Sequence, residues 1–304
     1  MRPFSYSKSK MKSVKEQVHA KKVYESGLTG KNVRIALLDT GVAEHPDIKN
    51  HIRMFKDYVN GKTYCYDDNG HGTHIAGILC GDGSISKGEI QGMAPKAELF
   101  VFKILDEKGN GRTEDALKAL DWLHYHHKQY NIRLLNFSMG YRPDAKRKLQ
   151  EQLMERIENL WDEGVIVITA AGNNGPEDNT ITIPGISRKV ITVGACGKME
   201  AMKTSLEDYS GRGPTPCCIV KPEILAPGTD IMSLSSKRYA YTKKSGTSMA
   251  VPVVCGGLAL ALEKNSKILP EEMKILLYES VDNEEILKKN FWGVLNVDKL
   301  VKML

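Results

Sequence analysis

The sequence predicts an α/β fold in three layers, a mostly parallel β-sheet flanked by helices on both faces. Three observations carry this. Short apolar, largely β-branched runs recur along the chain without polar alternation, the pattern of strands buried on both faces. Helical periodicities fill the intervals, and strand–helix alternation is the mark of parallel crossovers. The length of 304 residues, with 41% hydrophobic and 26% charged residues, suits one large globular core rather than a fibre, a disordered chain or a small stapled scaffold.

In chain order the strand candidates are "VRIALL" (33–38), "ELFVFKIL" (98–105), "IRLLNFS" (132–138), "VIVITAA" (165–171) and "VITVGA" (190–195). Between them, "TEDALKALDWLHYHHKQ" places Ala116, Leu117, Leu120 and Leu123 on one helical face, with Thr113 as N-cap. "DAKRKLQEQLMERIENLWDEG" repeats Leu149, Leu153, Ile157 and Leu160 and stops at Gly164. A long apolar helix follows "SGTS" (245–248), with Pro252 expected in its first turn, where a missing N–H costs little. No internal repeat, low-complexity tract or linker interrupts this alternation.

The net charge is +6, and residues 1–22 carry seven basic side chains against Glu16 alone, so the remainder is formally neutral. A basic arm can meet nucleic acid or an acidic membrane, but no aromatic-interleaved basic patch or nucleic-acid motif follows it. It reads as a solvated tail, with no nucleic-acid and no membrane partner. No apolar run reaches the ~18 residues of a membrane span, and the N-terminus lacks the apolar stretch of a secretory signal. A cytoplasmic protein is expected, with export by a route without a signal peptide left open. Six irregularly spaced cysteines without a C-x-x-C pair (Cys65, Cys80, Cys196, Cys217, Cys218 and Cys255) are expected as free thiols, several packed as small apolar residues.

In parallel sheets, sites gather beyond the carboxyl ends of the strands. Asp39 is the first polar residue after "VRIALL"; alone, it reads equally as a turn cap. In "NGHGTHIAGIL", His71 and His74 stand at i, i+3, either as a metal pair or as one catalytic imidazole with the other histidine packed inside. Asn173 leaves "VIVITAA" beside Gly172 and, alone, is a common turn residue. Ser248 sits where a helix begins, as a cap or as a nucleophile. Together, an Asp, a His, an Asn and a Ser at element ends, within Gly-rich turns, are the groups acyl transfer needs. Serine needs a base to take its proton, the imidazolium needs a carboxylate, and the oxyanion needs fixed donors.

The segments "ALLDTGVAEHPDI", "NGHGTHIAGI", "AAGNNG" and "GTSMAVP", in this order, resemble the subtilisin-like serine proteases, from about Lys22 to about Val301. The resemblance implies a serine endopeptidase acting on protein or peptide substrates through an acyl-enzyme, with no cofactor required for the chemistry. It implies Asp39 as the carboxylate, His71 as the base, Ser248 as the nucleophile, and Asn173 with the Ser248 N–H as the oxyanion hole. His74 falls to packing, and Ser245 stands three residues too early. The substrate-binding residues implied are Ser138, Met139 and Gly140 on one wall of the specificity pocket, Ala171 and Gly172 on the other, and Asn110 and Gly111 on a strand that pairs with the substrate. Met139 is also a candidate for simple core packing. The resemblance also implies that Thr182, before "IPG", falls near the pocket base, where it would narrow the pocket relative to members with glycine there.

The chain departs from the family pattern at three places. Val253 stands where many members have histidine. "CGDGSISKGEIQG" (80–92) replaces a loop that wraps a structural calcium ion in several members, with Asp82 and Glu89 as its acids. Asp47 matches one calcium ligand, and structural calcium is carried as an open alternative, since the ion takes six or more oxygens. At the front, a short basic extension, residues 1–22, precedes a catalytic domain, residues 23–304, resembling intracellular members without a signal or long propeptide. The extension is read as a tail, with "RPFSY" as a brake over the cleft in the rival reading. A non-catalytic subtilase-fold protein that holds a peptide is the alternative from another function class. A metal protein using "HGTH" with the "HYHH" run is a third; adjacent histidines on a helix point apart, so that run reads as a solvated face.

Overall fold

The computed structural model describes residues 10–141, 147–197, 206–282 and 291–304. Two short helices open it, α1 (Lys10–Gln17) and α2 (Lys21–Glu25), followed by strands β1 (Arg34–Asp39) and β2 (Ile52–Asp57). Next come α3 (His71–Cys80), β3 (Glu98–Lys103), α4 (Thr113–His126), β4 (Ile132–Phe137), α5 (Arg147–Asp162), β5 (Ile166–Ala170) and β6 (Ile191–Cys196). The last third holds β7 (Ile224–Pro227), the hairpin β8 (Ile231–Leu234) and β9 (Tyr241–Lys244), α6 (Thr247–Lys264), α7 (Pro270–Ser280), β10 (Gly293–Val294) and α8 (Val297–Lys302).

Among the described residues, eight strands form one sheet in the order β10-β7-β6-β5-β4-β1-β3-β2, and every neighbouring pair is parallel. β5 is buried at every position, so both faces of the sheet are covered. α5 packs on it together with α4, and α6 packs on it together with α3, which makes the two helical layers. The fold is the α/β class that the sequence predicts. Its five strand candidates are β1, β3, β4, β5 and β6, the buried centre of the sheet. The strands that the pattern does not announce are peripheral: β2 is an edge strand with mixed burial, β7 is four residues ending in proline, and β10 has two residues.

Several local expectations are corrected. α4 starts at Thr113, but Arg112 holds the cap position and its guanidinium reaches Asp115 (Nε to Oδ2 2.9 Å), so Thr113 is not the cap. α5 ends as expected, and Gly164 follows in the left-handed region at φ 99°. Pro252 lies in the second turn of α6, where its ring removes the bond that would end on the Ser248 carbonyl. α6 is long and apolar enough to cross a membrane, but it lies mostly buried in the protein as a core helix. Val253 is fully buried in the core.

The extension from Met11 onward is no solvated tail. Met11, Val14, Val18 and Ala20 are buried in the same core as the sheet, and Val18 O accepts from Val297 N at 2.9 Å. "RPFSY" lies outside the described residues. The "HYHH" run is a solvated face only in part: His124 and Tyr125 are exposed, but His127 is buried and shares Glu163 with His124 (3.1 and 2.8 Å), while His126 stacks on Trp122. All six cysteines are unpaired, with Cys80, Cys196 and Cys255 buried.

Candidate active site

The crossover directions reverse between β1 and β4, and their carboxyl ends are the crevice where such sheets bind ligands. Leu38 pairs with Phe137 in the β1–β4 register, so Asp39 and Ser138 leave neighbouring strands at the same level, about 5 Å apart. Everything else at the site hangs on these two points.

Asp39 is fully buried. Its Oδ1 accepts from the Thr40 N–H at 2.7 Å and from His71 Nδ1 at 2.7 Å; Oδ2 is buried with no partner among the described residues. His71 therefore carries its proton on Nδ1 and leaves Nε2 as a lone pair. Burial pulls the imidazole towards neutrality, but the charge and hydrogen bond of Asp39 outweigh it, so His71 ends above its ordinary value. The Lys244 ammonium acts in the opposite sense.

His71 is the first residue of α3, and the sequence dictates how that helix end meets β1. Asp67 caps it: Oδ2 accepts from Thr73 N (2.9 Å) and Thr73 Oγ1 (2.6 Å), and Oδ1 accepts from Gly70 N (2.8 Å). Thr40 Oγ1 donates to Asp67 Oδ1 and accepts from Gly72 N, both at 2.9 Å, which ties the β1 turn to the helix. The approach is so close that a Cβ on Gly72 would fall 2.1 Å from Gly41 O. Beneath, the buried Lys103 ammonium donates to Thr40 O, Leu105 O and Asp68 Oδ1, each at 2.7 Å. His74 is on the inner face. Its Nε2 donates to Ile231 O and Thr242 O (3.1 Å each), and burial pushes it down to about 3, so it is a neutral pin between α3 and the β8–β9 hairpin.

Ser248 is the second residue of α6. Its hydroxyl donates to Ser138 O at 2.8 Å and not to His71. Ser138 is held in turn by Asn136, whose Nδ2 donates to Ser138 Oγ at 2.7 Å. Asn173 Oδ1 accepts from both Thr247 N and Thr247 Oγ1, at 3.0 Å each, which fixes the amide by its oxygen and leaves Nδ2 outside these bonds. Gly246, at φ 151°, allows this: a Cβ there would crowd Asn173 Nδ2 at 3.3 Å. Ser245 is occupied elsewhere, its Oγ accepting from Asp230 N at 2.8 Å.

The expected binding segments surround this group. Met139 is partly buried against the core, with its Cε 3.7 Å from where a Gly111 Cβ would lie, so it bridges the segment of Ser138 and Gly140 to that of Asn110 and Gly111. Asn110 closes its own loop, its N–H on Asp106 Oδ1 and its carbonyl receiving Asp106 N, both at 2.8 Å. Ala171 O accepts from Thr182 N at 3.1 Å, and Gly172 is in the left-handed region at φ 95°.

Asp47 does not fit a calcium ligand. It is fully buried, and its two oxygens already accept from Tyr241 Oη (2.6 Å), Ser84 Oγ (2.8 Å) and Ile85 N (2.9 Å). Of the about four lone-pair positions of a carboxylate, three already face protons here, which leaves little for a cation that takes six or more oxygens. Among the described residues, no group of three or more His, Cys, Asp or Glu side chains is placed to hold a metal ion.

Thr40, Asp67, Thr247 and Lys103 support the site and escape a reading of motifs. Asp67 carried a usable signal, an acid six residues before Thr73 in a turn entering a helix; Lys103 carried none.

A family model described as the subtilase family matches residues 30–294. Serine protease AprX of Bacillus subtilis (strain 168) is 39% identical over 314 residues, 94% of this chain and 70% of that protein. The major intracellular serine protease of the same organism is 34% identical over 253 residues, 80% of this chain and 72% of its own length. Among solved structures, Sphericase matches at a TM-score of 0.76 and 30% identity, over 83% of this chain and 84% of its own. The S41 psychrophilic protease matches at 0.76 and 28%, over 88% and 86%. The chain belongs to the subtilase family and is a serine-type endopeptidase.

Proposed function

We propose that the chain hydrolyses peptide bonds with Asp39, His71 and Ser248 as its catalytic triad and with Asn173 Nδ2 and the Ser248 N–H as its oxyanion hole. The observation that carries this is the Asp39–His71 bond of 2.7 Å at the end of β1, one strand away from the carbonyl that holds the Ser248 hydroxyl. The reaction requires the Ser248 hydroxyl to turn from Ser138 O to the free lone pair of His71 Nε2; resting sites often hold such bonds loosely.

His71 takes the serine proton as Oγ attacks the scissile carbonyl, and Asp39 stabilises the imidazolium that forms. Negative charge develops on the carbonyl oxygen, which meets the fixed Asn173 amide and the Ser248 N–H at the α6 N-terminus, where the helix dipole favours an anion. His71 then protonates the leaving amine, and water repeats the sequence on the acyl-enzyme. No cofactor enters these steps. The substrate lies extended between Ser138–Gly140 and Asn110–Gly111, adding a strand by backbone hydrogen bonds, with Ala171 and Gly172 closing the pocket below the acyl residue.

The test is intact mass after a fluorophosphonate serine-hydrolase probe. One adduct on the wild type and none on Ser248→Ala is the expected result. An adduct retained by Ser248→Ala, or none on folded wild type, overturns the assignment.

A further inference from the structure

We infer that this protease favours bonds followed by an acidic residue, and that Lys244 is the side chain that selects them. Its ammonium receives the carboxylate of an aspartate or glutamate at the first or second substrate residue on the leaving-group side of the scissile bond. The inference rests on the assignment of Ser248 and His71 above.

Lys244 is placed by the hairpin that carries it. It is the last residue of β9 and pairs with Ile231 of β8. The hairpin lies along the start of α3 and meets it on both sides of His71. Ser236 Oγ would stand 3.0 Å from a Cβ on Gly70, and the Ile231 and Thr242 carbonyls hold His74 Nε2 at 3.1 Å each. From Lys244 the chain enters α6, and Ser248 follows four residues later. This connection is pinned: Ser245 Oγ accepts from Asp230 N at 2.8 Å, and Gly246 N donates to Gly228 O at 2.9 Å. The backbone of Lys244 is therefore fixed beside both the base and the nucleophile. Its ammonium is close enough to act on His71 and on His74, pushing each imidazole towards its neutral form.

Two observations make this cation available to a ligand. The buried or half-buried Lys103, Lys221 and Lys274 each reach a carboxylate, at 2.7, 2.6 and 2.8 Å, whereas the half-buried Lys244 reaches none among the described residues. The hairpin, residues 231–244, also carries Lys237, Arg238 and Lys243 and not one acid, so its field is positive throughout. The acids that act on His71, Asp39 and Asp67, are buried and held by His71 and by Thr73. The acyl half of the substrate lies between 138–140, after β4, and 110–111, before α4. Past the scissile bond the chain leaves that groove over the opposite edge, where His71 must reach the leaving nitrogen. Lys244 borders that edge. A carboxylate arriving there finds an unpaired ammonium and forms a charge-assisted contact, and a second cation is repelled.

The experiment uses a peptide series with a constant acyl side. The first and then the second residue past the scissile bond is varied among Gln, Glu, Ala and Lys, with kcat/KM expressed per active site counted by fluorophosphonate labelling. Glu and Gln have nearly the same shape, and any change at His71 itself cancels in their ratio. For the wild type, Glu is expected to exceed Gln by about three- to five-fold at one of the two positions, the upper range for a solvent-accessible ion pair. The ratio should fall towards one in about 0.5 M salt. Lys244→Met, which keeps the apolar stem, is expected to abolish the preference, and Lys244→Glu to replace it with a preference for Lys over Gln. Lys243→Met, at the exposed neighbouring position, should leave most of it. A labelled wild type with no preference for Glu at either position, or a preference unmoved by Lys244→Met and Lys244→Glu, overturns the inference and leaves the catalytic assignment standing. A folded wild type that neither labels nor cleaves removes the catalytic assignment, and this inference with it.

Discussion

Replacing Asn173 by alanine is expected to lower kcat by about 10²–10³, the loss known for subtilisins when this donor is removed, or about 2.7–4 kcal/mol of transition-state stabilisation. The structure sharpens the expectation by separating the two ends of the amide. Oδ1 is engaged by Thr247 N and Oγ1, so it supports the start of α6, while Nδ2 is the end to which the proposed oxyanion role falls. Asn173→Asp keeps the shape and both Thr247 bonds but replaces the donor with an oxygen, so it should lose at least as much kcat as alanine does. KM should stay within about three-fold for both, because the donor is used in the transition state and not in ground-state binding. The assay is steady-state hydrolysis of a chromogenic peptide, with active sites titrated by the fluorophosphonate probe. A loss below ten-fold for Asn173→Ala, or full activity in Asn173→Asp, refutes the assignment of Nδ2.

The remaining expectations concern pH, metal and the N-terminal segment. Asp39 outweighs burial at His71, so the imidazole loses its proton later than a free histidine would, and kcat/KM should rise with pH through a midpoint above about 6.5. Lys244→Ala removes an opposing charge and should move that midpoint up; a flat profile from pH 5 to 9 contradicts the role of His71. Asp47 is satisfied by protons rather than by a cation, so scanning calorimetry should give the same Tm in calcium and in chelator. Tyr241→Phe should cost about 1–3 kcal/mol by removing a bond to a buried carboxylate, and a Tm that rises on calcium addition would restore the metal reading. Deleting residues 1–18 removes Met11, Val14 and Val18 from the core, on the order of 5 kcal/mol at ~1.5–3 per buried side chain, so the truncated protein should melt markedly lower. An unchanged Tm would mean that this segment does not belong to the body.

The centre of the molecule was legible because it obeys periodicity. β1, β3, β4, β5 and β6 are buried on both faces, and a strand with no solvent side has no reason to place polar residues. The candidate site was legible because its residues stand at strand and helix ends, where Gly-rich turns leave a readable mark. Readings failed where a contact distant in sequence overrode a local preference. The basic segment looked solvated because its charges are dense, yet its apolar face at Met11, Val14 and Val18 finds the core through Val297, almost the whole chain away. Within the histidine run His124 and Tyr125 are exposed as read, but His127 is buried, because Glu163, just past the end of α5, arrives to pair with it.

The sequence by itself determined the fold class, the positions of its central strands along the chain, and the chemical identity of the groups at their ends. These follow from side-chain periodicity and turn chemistry, which are local properties. Only the tertiary structure decided what each polar group is paired with. It turned Asp47 from a possible metal ligand into the acceptor of three internal donors, fixed Asn173 by its oxygen and not its nitrogen, and set Thr182 against Gly140 and Gly172. The reason is that hydrogen-bond saturation and steric filling depend on which distant atoms arrive at a given point, and no window of neighbouring residues contains that information.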